Sequence, residues 1–171
     1  MFYLRPGEPH PHVPPETEQL AVFGHRFAML AELPEEWGFS GGSDGGAEVC
    51  GVSYALHAAP AHLVVTTFRG YEGVDLASEL QNLAMNAEPP PEHLSIPEWL
   101  DSWDFVRELE TTTTSLRVDG SEVAGWRIGF EGYFAVRLVL AEEEVFVSGR
   151  AVVEPLARDL VMVTEPRGRA T

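Results

Sequence analysis

Large apolar residues recur at every second position between Leu109 and Gly149, and short polar segments interrupt the repeat. This alternation is typical of strands with one buried and one exposed face. It predicts four successive strands in an antiparallel meander that forms the main sheet. The residues that carry the repeat are Phe130, Phe134, Val136, Leu138, Leu140, Val145 and Val147.

Turn residues between the predicted strands set their register. Asp119-Gly120 is a strong signal for a two-residue hairpin turn, and it places Arg117 opposite Glu122 as a favourable cross-strand charge pair. The last turn of the meander is predicted to have four residues, 141–144, between two apolar strands.

The second hairpin allows two registers. A two-residue turn would place Trp126 opposite Arg137, whereas a three-residue loop, 131–133, places Trp126 opposite Leu138. The second register gathers every large apolar side chain on one face, and a slip of one residue would reverse that face. The three-residue loop is therefore the predicted arrangement.

Two helices are predicted before the meander. Apolar residues at helical spacing indicate a helix over 76–87, with Asp75 as its N-cap. A capping box formed by Ser95 and Glu98 begins a second helix, 96–104. The apolar face of this second helix consists of Ile96, Trp99, Leu100 and Trp103.

The first third of the chain gives weaker signals. Residues 20–33 fit either a helix or a strand at 26–32, and the strand is preferred. The glycine-rich segment 41–46 is predicted to be a flexible loop. Segments 48–57 and 62–69 form a predicted hairpin. A last strand is predicted near residues 160–163.

Together these elements predict an α+β fold. A single antiparallel β-sheet of six to eight strands, including the C-terminal meander, has two helices packed on one face. The expected domain organisation is an extended proline-rich N-terminal arm over 1–19, one α+β domain over 20–166 and a C-terminal tail over 167–171.

The charge of the chain restricts its partners. The chain has 171 residues and a net charge of −16, and its eleven basic residues are all arginine. Such a charge repels nucleic acid and anionic membranes but suits a basic protein partner; solubility alone is the alternative reason for it. The absence of lysine excludes Schiff-base chemistry and a phosphate-loop lysine. Arginine without lysine is also expected of a GC-rich, bacterial genome.

Neither a metal site nor a cofactor site is expected from the sequence. Cys50 is the one cysteine, so an intramolecular disulfide and a multi-cysteine zinc site are excluded, and its apolar neighbours predict a buried packing residue. His57 and His62 flank a predicted turn, but no third ligand lies nearby. No signal peptide or membrane-spanning run is seen, so a cytoplasmic location is expected.

The segment 88–110 contains the densest negative charge, seven acidic residues against Arg107 alone. Aromatic residues surrounded by acids are what a surface needs to hold a basic partner. The candidate interface residues are Glu98, Trp99, Asp101, Trp103 and Asp104. No catalytic motif is present.

Three function classes follow from these observations. A non-catalytic acidic interaction protein, of the inhibitor, immunity, chaperone or adaptor type, is the leading hypothesis. A small-molecule-binding protein or hydrolase with a pocket between the sheet and the helices is the second. A structural subunit of a larger assembly is the third.

Overall fold

The computed structural model describes residues 27–34, 37–44, 49–56, 62–69 and 75–163. The predicted arm and tail lie outside these ranges, so the division into arm, domain and tail stays a prediction. The side chains of 38–44 and 49–56, and that of His62, are also outside the description, and His57 is too. The predicted burial of Cys50 therefore lies outside the described part of the chain.

Nine strands, two α-helices and two 3-10 helices form within the described residues, which confirms the predicted α+β class. The strands are β1 (Phe27–Leu30), β2 (Trp37–Asp44), β3 (Val49–Leu56), β4 (His62–Arg69), β5 (Thr112–Val118), β6 (Ser121–Phe130), β7 (Tyr133–Val139), β8 (Glu143–Arg150) and β9 (Asp159–Val163). The α-helices are α1 (Leu76–Ala87) and α2 (Ile96–Asp101), and the 3-10 helices span Asp104–Glu108 and Ala151–Arg158.

All nine strands belong to one sheet in the order β1-β9-β5-β6-β7-β8-β4-β3-β2. Every neighbouring pair is antiparallel except β5 and β9, where Arg117 pairs with Asp159 in a parallel register. The prediction of a purely antiparallel sheet is therefore wrong. After β8, the second 3-10 helix carries the chain back past β7 and β6, so that β9 enters beside β5 in the same direction.

The sheet curls until it is nearly a barrel. Although β1 and β4 are far apart in the strand order, the backbone N–H of Ala28 donates to Thr67 Oγ1 at 2.8 Å, and both residues are fully buried. Such closure covers a sheet edge, where backbone groups would otherwise stay unpaired. Strand β1 has all four of its residues buried.

The curled sheet has a hydrophobic core on each side. The inner core is enclosed by the strands and covered at one end by the second 3-10 helix; it includes Phe27, Met29, Leu30, Leu63, Val65, Phe134, Val136, Leu138, Val145, Val147, Val153, Ala157 and Leu160. The outer core lies between the sheet, α1 and the first 3-10 helix; it includes Phe68, Leu76, Leu80, Ala84, Trp103, Val106, Ile128, Tyr133, Ala135 and Phe146. Strands β7 and β8 are thus buried on both faces, whereas β5 keeps alternate residues exposed.

The register of the first hairpin is as predicted, with Arg117 opposite Glu122. The register of the second hairpin was predicted wrongly. Trp126 pairs with Arg137, and the connection is a two-residue turn in which Glu131 (φ 42°) and Gly132 (φ 85°) both have positive φ. Two such residues form the primed turn whose twist suits a hairpin.

The cause of this error is the second core. The three-residue loop was preferred because it gathered all large apolar side chains on one face, but the outer core also requires apolar residues. Leu138 therefore faces the inner core while Ile128 faces the outer core. The last turn of the meander also differs, because Leu138 pairs with Val145 and Leu140 N–H bonds Glu143 O at 2.8 Å, which leaves two residues, 141–142, in the turn instead of four.

Helix α1 has the predicted bounds, and Ser78 N–H donates to the Asp75 cap at 2.7 Å. The second predicted helix, 96–104, is wrong in extent: α2 ends at Asp101 and a 3-10 helix follows. Its expected packing on the sheet holds only in part: none of its residues is fully buried, and Trp99 is the one that packs against the outer core. The buried side chains that cover this face come from α1, from Trp103 in the turn after α2 and from the first 3-10 helix.

The N-terminal predictions have mixed outcomes. The strand preferred within 20–33 is confirmed as β1. The hairpin predicted over 48–57 and 62–69 is confirmed as β3 and β4. The loop predicted over 41–46 is wrong as far as residue 44, because β2 continues through its glycines and pairs with β3 across an irregularity between Phe39 and Gly41.

Candidate binding surface

A capping box fixes the start of α2. Ser95 donates both its backbone N–H (2.8 Å) and its hydroxyl (2.7 Å) to Glu98 Oε2, and the Glu98 N–H donates to Ser95 Oγ at 3.4 Å. These hydrogen bonds lower the pKa of the Glu98 carboxyl. Glu98 is therefore a capping residue that remains exposed to solvent.

The structure places the predicted interface residues in two settings. Trp103 is buried and Trp99 is half-buried, and both line one groove. Asp101 and Asp104 are exposed and lie outside the groove lining. The tryptophans thus face the molecule, whereas the carboxylates face the solvent.

The segment 88–110 is an acidic surface in the structure, and this name is used below for those residues. All seven of its acidic side chains are exposed. Three large apolar side chains among them are exposed as well: Ile96 at 56%, Leu100 at 41% and Phe105 at 45%. An exposed apolar patch rimmed by charges is typical of a protein-binding surface.

A groove within this surface has a volume of about 290 Å³. It is lined by segment 88–94, the end of α2, the first 3-10 helix and the turn between β6 and β7. Glu88 and Phe105 belong to the segment predicted from the sequence, whereas Phe130 and Glu131 were not predicted to line this groove. The pairing of β6 with β7 brings these two residues to it.

Aromatic rings meet along the groove. Phe105 and Phe130 lie edge to face with centroids 5.1 Å apart, and Trp103 meets the same Phe130 ring at 5.8 Å. Trp103 and Phe105 are stacked at 6.3 Å. Such contacts hold the half-exposed Phe105 in place without covering it.

Tyr133 connects the groove to α1. Its hydroxyl donates to Glu88 Oε1 at 2.9 Å, and the guanidinium of Arg150 lies 4.4 Å from the Tyr133 ring centroid. Burial and the bond to Glu88 raise the pKa of Tyr133, and the nearby Arg150 only partly offsets this. Glu88 is thereby held at the rim of the groove.

Trp103 has one unusual property. Its Nε1 is buried, yet it has no hydrogen-bond acceptor in the described part of the chain. A buried donor without an acceptor costs about 1–3 kcal/mol, and most such groups in proteins are paired.

A larger cleft of about 400 Å³ lies between β5, β6 and the second 3-10 helix. Two of its charged groups are paired with neighbouring residues: Arg117 with Asp159 at 2.7 Å, and Glu154 with Arg127, whose Nη2 donates at 2.8 Å. None of the predicted interface residues lines it.

Within the described ranges, no three His, Cys, Asp or Glu side chains are grouped so as to hold a metal ion. No helix there is long and apolar enough to cross a membrane.

Comparison of the chain with protein-family models, with curated proteins and with solved structures finds no match.

Proposed function

We propose that this chain is a non-catalytic interaction protein whose acidic surface binds a basic protein. The observation that carries the proposal is helix α2, in which Trp99 packs half-buried against the outer core while Ile96 and Leu100 of the same apolar face stay exposed. A helix whose start is fixed by a capping box and whose apolar side chains remain uncovered is suited to contact a partner. Ile96 and Leu100 provide the apolar area for that contact.

Charge determines which partner fits. Seven exposed carboxylates against one exposed arginine give the acidic surface a strongly negative potential. Complementary charge speeds association and excludes partners of the same sign. An arginine- or lysine-rich protein segment fits this surface, whereas nucleic acid and anionic lipid do not.

The test compares two variants of equal charge. Asp101→Asn with Asp104→Asn removes two carboxylates from the acidic surface; Glu32→Gln with Glu122→Gln removes two exposed carboxylates elsewhere. A partner captured from cells that naturally produce the chain is purified, and its association rate is measured with each protein at about 50 and about 300 mM salt.

The Asn variant should associate several-fold more slowly than wild type at low salt and show a weaker salt dependence, because steering acts on the association rate. The Gln control should keep most of the wild-type rate. Melting curves check that both variants fold. Identical association rates for the Asn variant and wild type at both salt concentrations would contradict the proposal.

A further inference from the structure

The groove in the acidic surface combines aromatic rings with carboxylates at its rim. Trp99, Phe105 and Phe130 supply ring surfaces, and Glu88 and Glu131 supply exposed carboxylates. Aromatic faces attract cations through their quadrupole, and nearby carboxylates add to the attraction. The lining therefore selects a cationic group with flat, partly apolar character.

The size of the groove limits its occupant further. Its volume of about 290 Å³ is at the lower end of the range for sites that enclose a drug-sized ligand, roughly 300–1,000 Å³. A single long side chain from another protein is a better match than a cofactor.

Arginine matches the lining better than lysine does. A guanidinium is planar and weakly hydrated and stacks on aromatic rings, whereas an ammonium is a strongly hydrated point charge. The chain itself pairs arginine with aromatic residues twice, Arg150 over Tyr133 at 4.4 Å and Arg137 over Trp126 at 5.7 Å. Tyr133 directly neighbours the groove through its bond to Glu88.

Trp103 also lines the groove, so its indole signal reports whether a ligand enters it.

We infer that the groove receives an arginine side chain of the basic partner, with its guanidinium against Phe105 and between the carboxylates of Glu88 and Glu131. This inference rests on the proposed function and specifies the chemistry of its ligand.

The test follows the indole N–H signals of the chain by ¹H–¹⁵N NMR. The probe is the peptide acetyl-Gly-Arg-Gly-amide, with the citrulline peptide as its neutral isostere and the lysine peptide as a second cation. The signals of Trp99 and Trp103 should shift saturably with the arginine peptide, whereas that of Trp126 should not. The lysine peptide should bind more weakly, and the citrulline peptide should leave the signals in place.

Two groove variants and one control complete the test. Phe105→Leu keeps an apolar side chain but removes the ring. It should lower the affinity for the arginine peptide about fivefold. Glu131→Gln keeps the side-chain shape at a position of positive φ. It should lower the affinity for the arginine peptide about twofold to threefold. Glu122→Gln, an exposed acid on β6 away from the groove, should leave the affinity unchanged.

The inference is wrong if the arginine peptide leaves Trp99 and Trp103 unshifted, or if the citrulline peptide shifts them equally. The salt-dependent association of the whole partner separates this failure from that of the proposed function. If the arginine peptide shifts neither tryptophan signal of the groove, but Asp101→Asn with Asp104→Asn still slows association of the partner, only the arginine assignment fails. If both experiments are negative, the proposed function fails with it.

Discussion

The guanidinium of Arg137 lies over the ring of Trp126, with 5.7 Å between the guanidinium carbon and the ring centroid. The contact exists because the two residues are directly paired across β6 and β7. It leaves Trp126 43% exposed on the outer side of the sheet. Trp126 therefore lies on the surface of the main sheet, and the guanidinium of Arg137 covers part of its ring.

The first prediction tests this register. Trp126→Ala should lower the free energy of unfolding by about 1 kcal/mol, because a half-exposed ring and one exposed cation–π contact are lost. Ile128→Ala, two residues along the same strand but buried in the outer core, should cost about 2–5 kcal/mol. Urea unfolding measures both variants. A larger loss for Trp126→Ala than for Ile128→Ala would contradict the register.

The second prediction concerns the inner core. Leu138 is fully buried, so Leu138→Ala should lower the free energy of unfolding by about 2–5 kcal/mol through lost burial and a residual cavity. The neighbouring Val139 is 45% exposed, and Val139→Ala is the matched control, expected to cost less than about 1 kcal/mol. Similar decreases in the free energy of unfolding for the two variants would show that Leu138 is not buried in the inner core.

The third prediction follows from the half-buried side chain of Glu79. Burial, and to a lesser degree the nearby Asp75, raise its pKa, so the folded state favours the protonated form. The protonated Glu79 carboxyl therefore contributes stability that is fully present below its pKa in the unfolded state. This contribution is lost as the pH rises through its pKa in the folded state. Glu79→Gln should therefore increase the free energy of unfolding at pH 7, and the gain should disappear near pH 4.

Chemical denaturation across this pH range measures the effect of Glu79→Gln. The exposed Glu92 provides the control, since Glu92→Gln should show no such pH-dependent gain. A loss of stability for Glu79→Gln at pH 7 would mean that the N-terminal end of α1 stabilises the carboxylate more than burial penalises it.

The fourth prediction concerns the bond between Tyr133 and Glu88. Tyr133→Phe keeps the ring under Arg150 but removes the hydroxyl donor, and should cost about 1 kcal/mol at neutral pH. Because the folded state raises the pKa of Tyr133, wild type loses stability as the hydroxyl ionises in the unfolded state. The difference between the two proteins should therefore shrink above about pH 10. A constant difference up to pH 11 or so would argue against the raised pKa.

Local sequence signals predicted what depends on local chemistry. The cap at Asp75 fixed the start of α1, and the Asp119-Gly120 turn fixed the pairing of Arg117 with Glu122. These signals act over a few residues, so a single sequence is enough to interpret them.

The errors arose where distant segments decide the structure. The register of Trp126 depended on the presence of a second core, which the alternation along one strand does not reveal. In the groove, Trp99 and Trp103 were identified from local composition, whereas Phe130 and Glu131 reach it only through the pairing of β6 with β7. The parallel entry of β9 was likewise invisible, because both directions give the same apolar pattern.

The position of β1 has a consequence for synthesis of the chain. Leu30 pairs with Leu160, 130 residues later. A ribosome adds roughly 5–20 residues per second, so the nascent β1 waits on the order of ten seconds before its partner strand is made. Its four apolar residues are meanwhile exposed to chaperones and to other nascent chains, and folding of the inner core is delayed until translation has passed β9.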